Sequence, residues 1–163
     1  PAKILDELNK GVRDTLHQRS FDESTSKDGM DITICTFDKE SSELEFAGAF
    51  NPLYLVRDGE IMEIKGNKFS VGIYLEKETQ KFTNHKLKMQ KGDVIYIFSD
   101  GYADQFGGPK GKKFMQNQFR NLLFDIHRKP MPEQKRILDN TIEHWRGNED
   151  QVDDILVMGM RVN

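Results

Sequence analysis

Five consecutive apolar residues, Val94 to Phe98, run straight into Ser99-Asp100-Gly101, and this junction constrains the chain more than any other stretch. A short unbroken apolar run between polar turns is the mark of a strand covered on both faces. The last strand-like run, Ile155 to Val162, follows Val152-Asp153-Asp154 just as directly. If the two strands are antiparallel neighbours, the end of the first lies beside the start of the second, and Asp100, Asp153 and Asp154 meet at one end of a sheet. Asp104 joins them if the residues after Gly101 make a helical turn, because positions i and i+4 share a helix face. Like charges that close raise one another's pKa, a cost that a bound cation offsets. Oxygen ligands without His or Cys suit hard ions such as Mg²⁺, Mn²⁺ or Ca²⁺. The plainer alternative is that Asp100 caps a turn and Asp153 caps the last strand, since acids are common at strand ends.

The rest of the pattern supplies what must surround these strands. Ile4, Leu5, Leu8, Val12 and Leu16 fall at helical intervals and predict a helix over Ala2 to Gln18. The Ser- and Asp-rich stretch after it predicts a loop. Alternation then predicts a strand over Asp31 to Phe37, paired with Leu44 to Ala47 across a polar turn, and a hairpin of Leu53 to Val56 with Ile61 to Ile64 across Asp58-Gly59. Lys81 to Met89 reads as a further strand, joined to the Val94 strand by the turn at 90–93. A helix follows with Met115, Phe119, Leu122, Leu123 and Ile126 in one stripe, then another opened by Pro132 with Leu138, Ile142 and Trp145. Helix, many antiparallel strands, two helices and a closing strand make an α+β arrangement with helices packed on a mostly antiparallel sheet.

Composition excludes several classes. At 163 residues the chain has the size of one domain. Lys plus Arg number 24 against 27 Asp plus Glu, a net charge of −3, so there is no clustered basic excess and no nucleic-acid footprint. No apolar run approaches the roughly 18 residues of a membrane-crossing helix, and PAKILDELNK has no signal-peptide apolar region. The single cysteine, Cys35, lies in the alternating run ITICTF and is expected to be a small buried residue.

Other polar groups are weaker candidates. Asp28-Gly29-Met30-Asp31 is an acidic turn without partner acids at a useful spacing, so a loop ending at a strand is expected. Lys110, Lys112 and Lys113 could face a phosphate, but a solvated helix start is the preferred reading. His17, His85, His127 and His144 are scattered without metal-binding spacing. Gly107-Gly108-Pro109-Lys110-Gly111 is only loosely like a phosphate cradle.

The strings DGMDITICTFD, AGAFNPLYLVRDGE, KGDVIYIFSDGYADQFGG, KGKKF and EQKRILDNTIEHWRGNEDQVDDILVMGMRV resemble, in order and spacing, the C-terminal part of the catalytic domain in the SpoIIE-like branch of PPM-type (type 2C) serine/threonine protein phosphatases. That branch includes the environmental-stress phosphatases of bacterial partner-switching pathways. The resemblance implies an α-β-β-α sandwich with a two-metal centre of Mn²⁺ or Mg²⁺. It makes Asp100 and Asp153 metal ligands, Asp104 a ligand to a further, weaker metal, and Asp154 a supporting residue. It implies no catalytic residue beyond the metal ligands, and direct attack on phosphoserine or phosphothreonine by a metal-activated water.

The family pattern also has an earlier Asp and a Gly-His-Gly turn, and no such string is present here. With Pro1 in place of Met, the chain is therefore expected to be a single N-terminally truncated phosphatase domain over 1–163, lacking its first strands and weak in metal binding and activity by itself. The expected substrate is a phosphorylated bacterial regulator such as an anti-sigma factor antagonist, acted on in the cytoplasm, with sensory or signalling modules upstream in a parent chain that could be membrane-anchored. Strands left uncovered by truncation would favour a homodimer. The alternatives are a non-catalytic phosphatase-like interaction module and a Ca²⁺-binding structural domain.

Overall fold

In a computed structural model, residues 1–16, 29–73 and 81–163 are described. The chain divides into two compact units, Pro1–Leu53 with Ile64–Gln90, and Tyr54–Glu63 with Lys91–Asn163. The Ser-rich stretch after the first helix, with His17, Gln18 and Asp28, lies outside the described residues.

In the first unit, helix α1 (Ala2–Thr15) precedes strands β1 (Ile32–Asp38) and β2 (Glu43–Ala49). The β1–β2 pair is antiparallel from Ile32 opposite Ala49 to Asp38 opposite Glu43. Its turn is set by Asp38, whose Oδ1 accepts from the amides of Glu40 (2.9 Å) and Ser41 (3.3 Å). Alternation places Ile32, Ile34, Ala47 and Ala49 on one face, where they form a core with Ala2, Leu5, Leu8 and Val12 of α1 and with Val71 and Phe82. Two residues of the predicted helical stripe are outside that core: Ile4 is 56% and Leu16 46% exposed. Polar side chains complete the docking. Asn9, buried on α1, accepts from the Gly72 amide at 2.8 Å, and Asp6 accepts from the Phe82 amide at 2.9 Å. Cys35 lies in β1 but is only half-buried rather than fully buried, and that partial burial still pushes its thiol up to about 11.

The second unit is built on β3 (Leu53–Arg57), β4 (Glu60–Ile64), β6 (Val94–Phe98) and β9 (Val157–Arg161), in the order β4-β3-β6-β9. Asp58 and Gly59 turn the β3–β4 hairpin with positive φ of 51° and 78°. β5 is shorter than the predicted strand, His85–Lys88 only, and it pairs with β2, so the two strands flanking the 90–93 turn belong to different sheets. After β6 come α2 (Gly101–Asp104), the small hairpin β7 (Phe106–Gly107) and β8 (Lys112–Lys113), and helices α3 (Gln116–Ile126) and α4 (Met131–Arg146). The run Lys110 to Lys113 thus lies in a hairpin rather than at a helix start.

Tyr54, Val56, Val94, Tyr96 and Phe98 face the helices and pack with Tyr102, Phe114, Phe119, Leu123, Ile126, Leu138 and Ile142. Ile95, on the opposite face of β6, is buried too, in keeping with the unbroken apolar run. Two sets of buried polar groups in this core are tied by hydrogen bonds. Tyr96 donates to Gln134 Oε1 at 2.7 Å, and Gln134 donates to the carbonyls of His127 and Lys129, closing the α3–α4 turn. Arg57 holds the buried Asp93 through two contacts, 2.9 and 2.6 Å. The fold is the expected α+β class, with helices packed on antiparallel sheets.

Candidate functional site

β6 and β9 pair antiparallel, from Val94 opposite Arg161 to Phe98 opposite Val157. The end of one strand therefore meets the start of the other. Ser99 fastens this junction: its amide donates to the Leu156 carbonyl (3.0 Å), and its hydroxyl donates to the Asp154 carbonyl (2.7 Å) while accepting from the Leu156 amide (2.9 Å). Gly101 fits where no side chain could, since a Cβ built there would lie 2.4 Å from the Asp154 carbonyl oxygen. Ser99 and Gly101 are thus packing requirements of the strand junction.

Asp100, exposed, occupies the N-cap position of α2, and its carbonyl accepts from the Asp104 amide at 3.0 Å. The helical turn after Gly101 forms, but the Asp104 carboxylate is held by Lys113 at 2.8 Å. On the other side, exposed Asp153 accepts from the Asp154 amide at 2.7 Å, and the Gln151 side chain donates to the Asp153 carbonyl at 2.8 Å. The backbone brings the Asp100 and Asp153-Asp154 segments together. Among the described residues, however, no group of three or more His, Cys, Asp or Glu side chains converges as a metal cluster. The donor chemistry of Asp100 and Asp153, exposed carboxylates on adjoining segments, fits Mg²⁺ or Mn²⁺ in kind as part of a ligand set.

The neighbouring hairpin is anchored rather than open. A Cβ on Gly107 would lie 1.9 Å from the Trp145 carbonyl oxygen, and Gly108, with φ of 67°, donates its amide to that oxygen at 2.7 Å. These glycines seat β7–β8 on the end of α4 and are explained by that contact without a phosphate. Trp145 is half-buried, its ring edge-on to Phe114 and its indole N–H on the Gln105 carbonyl at 3.1 Å. The described histidines remain apart: His85 packs on Phe46, while His127 and His144 bond backbone carbonyls of their own helices. Asp31 accepts from Ser70 beside the Met30–Val71 bridge, which makes it part of a strand edge.

The positioning residues that sequence reasoning missed are Ser99 and Gln105. Both lie within SDGYADQFGG, but their partners are some 45 to 57 residues away and follow only from the strand pairing.

Among solved structures, the chain is similar to the SiaA-PP2C domain of Pseudomonas aeruginosa, with 31% identity and a TM-score of 0.84, covering 100% of this chain and 61% of that one. The chain thus spans less than two thirds of that relative's length. It is similar in fold to the phosphatase domain of the cell fate determinant SpoIIE from Bacillus subtilis, presoaked with Mn (16% identity, TM-score 0.64, covering 99% and 72%). RsbX in complex with magnesium is another such match, at 16% identity and a TM-score of 0.60, covering 96% and 62%. No curated protein matches the chain. The family model described as Stage II sporulation protein E matches residues 1–163. With its two acid-bearing strand ends fastened side by side and its whole length within that match, the chain belongs to the Stage II sporulation protein E (SpoIIE) family.

Proposed function

We propose that this chain is the acid-bearing part of a metal-dependent phosphatase that hydrolyses phosphoserine or phosphothreonine on a bacterial regulatory protein. The observation that supports this reading is the β6–β9 junction, where Ser99 and Gly101 join the backbone segment that carries Asp100 to the one that carries Asp153 and Asp154. In the proposed site Asp100 and Asp153 hold Mn²⁺ or Mg²⁺, Asp104 is a weaker ligand to a further ion in exchange for its Lys113 contact, and Asp154 has a supporting role. Relatives of the same fold, one presoaked with Mn and one in complex with magnesium, support that choice of ion. Such an ion would lower the pKa of a water and offset charge on the phosphoryl oxygens. In the hydrolysis a water oxygen would form a new bond to phosphorus as the P–O bond to the serine or threonine oxygen breaks, and the proton given up by that water would end on the leaving oxygen, so that the products are the alcohol and inorganic phosphate. The substrate is proposed to be a small regulator of the anti-sigma factor antagonist kind.

Phosphopeptide hydrolysis in Mn²⁺ tests the reading. Asp100→Asn and Asp153→Asn in the full-length protein are each expected to lower turnover by roughly a hundredfold, and chelation should abolish it; turnover equal to the parent protein's in both variants would overturn the site. A second reading, a phosphatase-like interaction module without hydrolysis, is favoured by the Asp104–Lys113 ion pair, which occupies one of the candidate ligands. It predicts no Mn²⁺-dependent turnover in the parent protein at all.

A further inference from the structure

The loop that bears Asp153 is fastened at both ends to the segment that bears Asp100. At one end stands Ser99, on residues 154 and 156. At the other stands Gln105, whose side chain is fully buried, at 0% exposure. Its Nε2 donates to the Asp150 carbonyl at 2.9 Å and to the Phe106 carbonyl at 3.1 Å. Its own carbonyl accepts from the Phe114 amide (2.9 Å) and from Trp145 Nε1 (3.1 Å). A buried amide is costly unless it is bonded, and here both donor bonds go to backbone, so Gln105 fixes chain position rather than another side chain. Its Oε1 is buried without a hydrogen-bond partner. Retaining a glutamine there at that cost suits a residue whose donors matter.

We infer that Gln105 is a positioning residue that sets the spacing between Asp100 and Asp153, coupling the end of α2 to the 150–154 loop. This rests on the metal-site reading above. A ligand pair shifted by a fraction of an ångström binds a cation less well, and partners that orient ligands typically change affinity by roughly 10- to 100-fold.

Gln105→Met, near in volume but without hydrogen-bonding atoms, tests this in the full-length protein. Gln134→Met is the control, because Gln134 is also a buried glutamine with two bonds to backbone carbonyls, on the far side of the same core. Two readouts are taken: amide hydrogen exchange over 150–154, and Mn²⁺ affinity by calorimetry. For Gln105→Met, exchange should rise and affinity fall, each roughly tenfold or more, while Gln134→Met lowers the melting temperature to a similar degree and moves neither. The inference is overturned if Gln105→Met leaves both as in the parent, or if Gln134→Met shifts them equally, the result expected of general loosening. Asp153→Asn binding Mn²⁺ as tightly as the parent would instead sink the metal reading, and the exchange arm alone would then decide the clamp.

Discussion

At the scale of single residues, two glycines with the same letter have opposite meanings. Gly101 lies against backbone, and its β-carbon would meet the Asp154 carbonyl at 2.4 Å. Gly101→Ala must push the two strand ends apart, and a loss of about 2–4 kcal/mol is expected in urea unfolding. Gly11, inside α1, has a negative φ, and a β-carbon added there would meet nothing within 4 Å. Gly11→Ala should stabilise by about 0.5–1 kcal/mol, because the unfolded chain loses freedom and the helix gains a better former. Cys35 is another case where position outweighs type. Its raised pKa means that the folded state keeps the thiol proton to higher pH than the unfolded chain does. The stability it contributes is therefore complete below the unfolded value near 9.0 and is lost as pH rises through about 11. Thiol labelling at pH 8 should be slow in the native protein and fast in urea; fast native labelling would contradict the burial.

At the scale of elements, α1 shows how much of a helix is legible in its letters. Leu5, Leu8 and Val12 announce the buried face, and they do line the core. Asn9 lies next to that stripe and would be read as a polar edge, yet it is 4% exposed because the Gly72 amide needs an acceptor there. Asn9→Ala strands that amide and should cost about 1–3 kcal/mol in chemical denaturation. The short α2 is the reverse case. Four residues do not make a stable helix in water, and the turn persists because Tyr102 stacks on Phe119 at 4.4 Å and donates its hydroxyl to the Leu138 carbonyl at 2.9 Å. Those partners sit on α3 and α4, beyond the reach of any local pattern.

At the scale of the molecule, β9 is an edge: among the described strands it is bonded only to β6. Met158 on it and Leu156 before it are 54% and 56% exposed. Beside it a groove of about 470 Å³ runs along α4, lined by Met131, Leu138, Ile142, Ile155 and Val157. An open edge next to apolar surface favours pairing between copies, so the 163-residue chain is expected to dimerise with concentration in sedimentation velocity, and Met158→Lys to shift it toward monomer. A concentration-independent monomer would overturn this. No helix among the described residues is long and apolar enough to cross a membrane. The letters alone were enough for the class of fold, the β6 strand and the acids that flank it, because hydrophobic period and turn chemistry are local properties of neighbouring residues. Which strands join which sheet, and that Ser99, Gly101 and Gln105 lock the Asp153 loop in place, emerged only once the chain was folded. Those contacts join residues 45 or more positions apart, and their partners are backbone carbonyls, which every residue carries and no letter distinguishes.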